Sequence, residues 1–177
     1  MKRAIFILGG VRSGKSSYAI ELAKGLGENV VFIATCVHPD LEMKERIKMH
    51  KRKRPGHWGL IEEGKDLTSV IDKLKNGYEV IVIDCIGLWL SNLLGENFKN
   101  REIEGMIKGL VKGISKIKTN IIVVSNEVGC GIVPDNPLAR RFIDLLGFAN
   151  QMLAKEACEV ILMQGGIPIK IKNAKIK

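Results

Sequence analysis

The chain has 177 residues, 46% of them apolar and 27% charged, and a formal net charge of +9 at pH 7. That length supports one well-buried core but not two, and the composition excludes a disordered chain. No apolar run approaches the roughly 18 residues of a membrane helix, and Cys36, Cys85, Cys130 and Cys158 form no CxxC pair that would point to zinc or a disulfide framework.

Met1-Lys2-Arg3 and the short apolar run behind it do not make a secretory signal, so a cytoplasmic protein is expected. Ala4–Leu8 reads as a buried strand, and Gly9-Gly10-Val11-Arg12-Ser13-Gly14-Lys15-Ser16 follows it at once. This octapeptide matches GxxxxGK[ST], between a strand and the amphipathic segment Lys15–Leu26, which is where a phosphate loop must lie. Its glycines let successive N–H groups turn toward phosphate oxygens, and the helix start adds partial positive charge. Lys15 is expected on the β- and γ-phosphates, and the Ser16 hydroxyl on Mg²⁺.

Val30–Thr35 reads as a second strand, and Asp40–Arg54 as a charged helix in which Asp40 caps the start. Seven basic residues fall between Lys44 and Arg54, and four lysines between Lys170 and Lys177. With few aromatics among them and no nucleic-acid-binding motif, this charge fits a triphosphate cleft better than DNA or RNA, so no nucleic-acid partner is expected. His50 lies within the basic run. A neutral imidazole among cations is a competent nucleophile toward phosphorus, but an exposed histidine on a solvated helix would look the same.

Val80–Asp84 is an apolar strand ending in a carboxylate, which after a phosphate loop places Asp84 near Mg²⁺. Ile121–Ser125 and Val160–Met163 read as further buried strands, and Asp66–Leu74, Ile103–Ile117 and Leu138–Glu156 as helices. Gly129–Asn136 is a Gly- and Pro-rich loop, and Asn136-Pro137 opens the helix after it. Gly165-Gly166 turns Ile167–Ile171 back as an edge strand. The pattern predicts a single α/β P-loop domain over residues 1–177, its mostly parallel sheet covered by helices on both faces and edged by a C-terminal strand.

Together the motifs resemble one family, the bifunctional adenosylcobinamide kinase and adenosylcobinamide-phosphate guanylyltransferase of cobalamin biosynthesis. Beyond the phosphate loop, the resemblance includes Ile33-Ala34-Thr35, Arg46-Ile47-Lys48-Met49-His50, Arg54-Pro55, His57-Trp58 and Asp84-Cys85. It continues through Leu88–Leu94, Ser125–Gly129, Gly131–Pro134, Asn150-Gln151 and Gly165–Pro168. It implies phosphorylation of adenosylcobinamide with ATP or GTP, then GMP transfer from GTP by way of a guanylylated His50. It also implies nucleotide contacts at residues 9–16, at Ala34, Thr35 and Cys36, at Lys51, Arg52, Lys53 and Arg54, and at Glu62 and Asp84. A homotrimer is implied as well. Glu127, Arg140 and Arg141 are candidates for corrinoid or phosphate contacts, and equally for helix-face salt bridges. Gly87 stands where the family pattern leads us to expect threonine. The phosphate loop alone fits a simple small-molecule kinase equally well.

Overall fold

In the computed structural model, residues 3–37, 41, 45, 48, 51–74 and 77–173 are described. Among the described residues seven strands form one sheet: β1 (Ala4–Gly9), β2 (Val30–Ala34), β3 (Gly59–Glu62), β4 (Val80–Asp84), β5 (Asn120–Val124), β6 (Glu159–Gln164) and β7 (Ile167–Asn173). Their order is β3-β2-β4-β5-β1-β6-β7, parallel throughout except for β7, which runs antiparallel to β6. The expected C-terminal edge strand is therefore present. Its turn uses Gly165 and Gly166 at φ 58° and 85°, as a two-residue hairpin requires.

Alternate residues of each central strand enter different cores, as the twofold strand period dictates. Phe6, Leu8, Ile33, Ile81, Ile83, Ile121 and Val123 face one core. It is covered by α2 (Leu67–Lys73), α3 (Ile86–Gly95), α4 (Asn100–Lys116) and α5 (Pro137–Glu156). Ile5, Ile7, Val30, Phe32, Val80, Val82, Ile122 and Val124 face the other, packed on Ala19, Ile20 and Ala23 of α1 (Lys15–Lys24) and on Trp58. Burial on both faces explains why these strands read as unbroken apolar runs.

Two elements escaped sequence reasoning. β3 has four residues and pairs only with β2, too short for alternation to register. In α3, Ile86, Gly87, Trp89, Leu90, Leu93 and Leu94 are all buried, so little polar face remains to reveal a helical period. Of the helix expected over residues 40–54, Leu41, Glu45, Lys48 and Lys51–Lys53 are helical, while Asp40 and His50 lie outside the described residues. No helix among the described residues is long and apolar enough to cross a membrane.

Candidate nucleotide site

The carboxyl ends of β1, β2, β3 and β4 converge on one edge of the sheet, where open parallel sheets bind ligands. β1 delivers the phosphate loop. Gly9 is obligatory there, because a Cβ would stand 2.6 Å from both the Met163 carbonyl oxygen and Ser13 Oγ. Gly14 caps α1 at φ 94°, ψ 1°, and Arg12 is also left-handed at φ 58°. For a non-glycine residue that conformation costs about 1 kcal/mol, and it belongs to the curl that aims N–H groups inward. The loop is tied from both sides: Gly166 N–H donates to the Ser13 carbonyl at 3.1 Å, and Glu127 N–H to that of Gly9 at 2.9 Å.

A cleft of about 450 Å³ opens over this loop. Val11, Arg12, Lys15 and Ser16 line it, with Ala34 and Cys36 beyond β2, Lys51 and Arg54 from the basic run, Glu62 ending β3 and Asp84 ending β4. Ten sequence-predicted residues thus share one cavity. Lys15 is buried, and its Nζ donates to the Gly10 carbonyl at 2.6 Å. Burial draws its pKa below the ordinary lysine value, while Cys85 and the Asp84 carboxylate oppose the shift. Arg54 stacks over the Phe32 ring, 4.3 Å from the centroid, with its pKa lowered by burial against the pull of Asp84 and Glu62. Lys51 pairs with Glu62 at 3.6 Å, and Lys53 donates to Ser17 Oγ on α1 at 2.9 Å. The end of the basic run is therefore docked beside the phosphate loop.

Other predicted residues take different places. Gly9 lies buried at the end of β1, and Ser13 is buried with its hydroxyl unpaired among the described residues. Thr35 is fully buried, and its hydroxyl is spent on Cys85. Arg52 is exposed and Lys53 points to α1, so neither lines the cleft. Arg140 holds the loop before α5, donating to the carbonyls of Pro134 and Asp135 at 2.9 and 2.7 Å. Arg141 binds Asn100 and the Phe98 carbonyl, bracing α5 against the start of α4.

The sequence reading did not place Leu88, Ser91, Asn126, Val128 or Phe142 in the site, yet they complete the cleft wall with Cys85 and Gly87. Leu88 and Ser91 came with the unseen α3. A Cβ at Gly87 would lie 3.0 Å from Asn126 Oδ1, so a threonine there would crowd Asn126. The Cys85 thiol has its pKa pushed up to about 12, first by burial and then by the neighbouring Asp84 carboxylate. It is protonated at neutral pH and is no nucleophile.

A phosphate loop on a parallel α/β sheet, facing a strand-end carboxylate across a basic cleft, defines a P-loop nucleotide-binding protein. The RadB recombinase structure shares this fold at a TM-score of 0.50 and 17% identity, over 90% of this chain and 73% of that one. The profile of the cobinamide kinase / cobinamide phosphate guanyltransferase family matches residues 5–171. The bifunctional adenosylcobalamin biosynthesis protein of Pseudomonas aeruginosa is 37% identical over 94% of this chain and 96% of its own length. That of Salmonella typhimurium is 39% identical over 95% and 99%. The chain belongs to the cobinamide kinase / cobinamide phosphate guanyltransferase family and is a bifunctional kinase and guanylyltransferase.

Proposed function

We propose that the chain phosphorylates the aminopropanol hydroxyl of adenosylcobinamide with ATP or GTP, then carries GMP from GTP to the product through His50. The supporting observation is that Lys51, one peptide bond after His50, lines the same cleft as Lys15, Ser16 and Asp84. In the kinase half, the hydroxyl oxygen attacks the γ-phosphorus and the nucleoside diphosphate leaves. Its proton is lost late to solvent, as a loose transition state allows. Lys15 and the loop N–H groups hold the β- and γ-oxygens in place.

Ser16 and Asp84 both line the cleft and offer Mg²⁺ a hydroxyl and a carboxylate, a hard-oxygen set that substrate phosphates would complete. When bound, Mg²⁺ would neutralise charge between the transferred and leaving phosphates. In the guanylyl half, an imidazole nitrogen of His50 attacks the α-phosphorus and pyrophosphate leaves. The phosphate oxygen of the acceptor then displaces the imidazole, giving adenosyl-GDP-cobinamide. Arg54 and Lys51 supply the positive charge that the leaving pyrophosphate requires. We also propose that the chain assembles as a homotrimer, which sedimentation equilibrium reads directly.

GTP labelled at the α- or γ-phosphorus tests the histidine step. After alkaline denaturation, α-label should remain on the protein, be released by acid, and be absent from His50→Ala. Wild-type protein that takes up no α-label overturns it.

A further inference from the structure

A second cavity, of about 320 Å³, meets the nucleotide cleft at Val128, which lines both. Asp144, Gly147 and Gln151 of α5 line it, spaced three and four apart and so on one helical face, and Glu127 joins them. Asp144 and Gln151 are exposed.

Gly147 is the informative position. It lies inside a 20-residue helix, where glycine costs about 1 kcal/mol relative to alanine. Its backbone is not among the positive-φ glycines. No neighbour requires it either: a Cβ built there meets nothing within 4 Å outside the backbone of its own helix. What the missing side chain does is leave room on the cavity side, as glycine does where backbone approaches a ligand.

We infer that this second cavity seats the cobinamide acceptor. The inference rests on the proposed reaction, in which the nucleotide occupies the cleft over the phosphate loop. The acceptor oxygen must come within about 3–3.5 Å of phosphorus, so its binding site has to adjoin that cleft, and the second cavity does so at Val128, which lines both. Cobinamide is a broad ring with apolar edges and a fringe of carboxamides. The ring edge lies against Val128, Ile143 and Phe148, the large apolar residues of the cavity lining. Carboxamide N–H groups donate to the carboxylates of Glu127 and Asp144, and carboxamide oxygens accept from the Gln151 amide.

Titration of the full chain with adenosylcobinamide, in the presence of a non-hydrolysable GTP analogue, tests the assignment. Gly147→Leu fills the cavity from a helical position that favours leucine, so the fold should be no less stable. Its corrinoid affinity should fall about tenfold or more, which is about 1.4 kcal/mol, and the KM for adenosylcobinamide should rise in step. Affinity for the GTP analogue should stay within about twofold. Gly147→Ala, with only a methyl group to accommodate, should raise Tm and bind corrinoid within about threefold of wild type. Wild-type corrinoid affinity in Gly147→Leu overturns the inference, and so does an equal loss of GTP-analogue affinity. The titration involves no transfer, so a protein that takes no α-label refutes the histidine step and leaves this inference standing.

Discussion

The Thr35 hydroxyl and the Cys85 peptide exchange two hydrogen bonds: Oγ1 donates to the Cys85 carbonyl at 2.8 Å and accepts from the Cys85 N–H at 2.8 Å. Thr35 N–H in turn donates to the Asp84 carbonyl at 3.1 Å, and Asn92 Nδ2 donates to the Thr35 carbonyl at 2.8 Å. The end of β4, and with it the Asp84 carboxylate, is thereby held to the end of β2. Thr35→Val keeps the shape and strands the buried Cys85 N–H, while the Cys85 carbonyl still accepts from Trp89 N–H at 3.2 Å. The expected loss is about 2 kcal/mol, a Tm drop of roughly 4–8 °C for a chain of this size. Thr35→Ser should keep most of the stability. Thermal unfolding of the three proteins decides it, and a Tm for Thr35→Val within a degree or two of wild type refutes the clamp.

Lys15 is parked on the Gly10 carbonyl. Bound nucleotide offers it charged oxygens instead of a peptide carbonyl, and charge-assisted bonds are roughly twice as strong as neutral ones. Lys15→Ala should lower the kinase kcat about 10²–10³-fold, the usual effect of removing one electrostatic stabiliser. The far-UV spectrum should not change. Initial rates with each nucleotide measure it, and retention of more than a tenth of wild-type kcat contradicts the role.

What the sequence disclosed followed from local rules. The phosphate loop was legible because its residues are fixed by backbone geometry: Gly9 by the Met163 carbonyl, Gly14 by its positive φ. The central strands were legible because burial on both faces leaves uninterrupted apolar runs. The opposite wall of the cleft was not, for the same reason carried further. α3 is so thoroughly buried that it lost the polar face by which an amphipathic helix is recognised. Thr35 shows a different limit. The resemblance implies a nucleotide contact there, and nothing local in the sequence tells that its hydroxyl is bonded to the Cys85 peptide. Nothing local in Asn126, Val128 or Phe142 announces a cleft, since β5 and α5 bring them there from distant parts of the chain.

The cysteines should differ sharply in reactivity. Cys85 is buried with its pKa raised to about 12, whereas Cys130 is exposed. At pH 8 a thiol alkylating agent should label Cys130 within minutes and leave Cys85 unmodified until the chain is denatured. The same shift carries a pH signature. The folded thiol keeps its proton past pH 9, where an unfolded one releases it. Stability is therefore intact below pH 9 and falls as pH rises from 9 toward 12. Cys85→Ala should show a shallower decline in Tm over that range. Peptide mapping and a Tm–pH series read both effects, and early labelling of Cys85 in the native protein refutes the assignment.

Glu159, at the start of β6, is buried and joins three parts of the chain. Arg3, just before β1, donates from Nε to Oε1 at 2.9 Å, and Lys170 Nζ on the edge strand lies 2.8 Å from Oε2. Burial alone would raise the Glu159 pKa, but the bonds from Lys170 and Arg3 outweigh it and hold the group below the ordinary carboxylate value. A depressed carboxylate contributes stability that is fully present above its unfolded pKa and disappears as pH falls through the folded one. Glu159→Gln keeps the shape and removes the charge. Because Arg3 and Lys170 are both partly exposed, their pairs are screened, and the expected loss near pH 7 is about 2 kcal/mol. That corresponds to a Tm lower by roughly 4–8 °C. In acid, below the folded pKa of Glu159, the two proteins should converge, because wild type has then lost the same charge. A Tm difference that persists unchanged into that range would show that Glu159 acts through packing rather than through its charge.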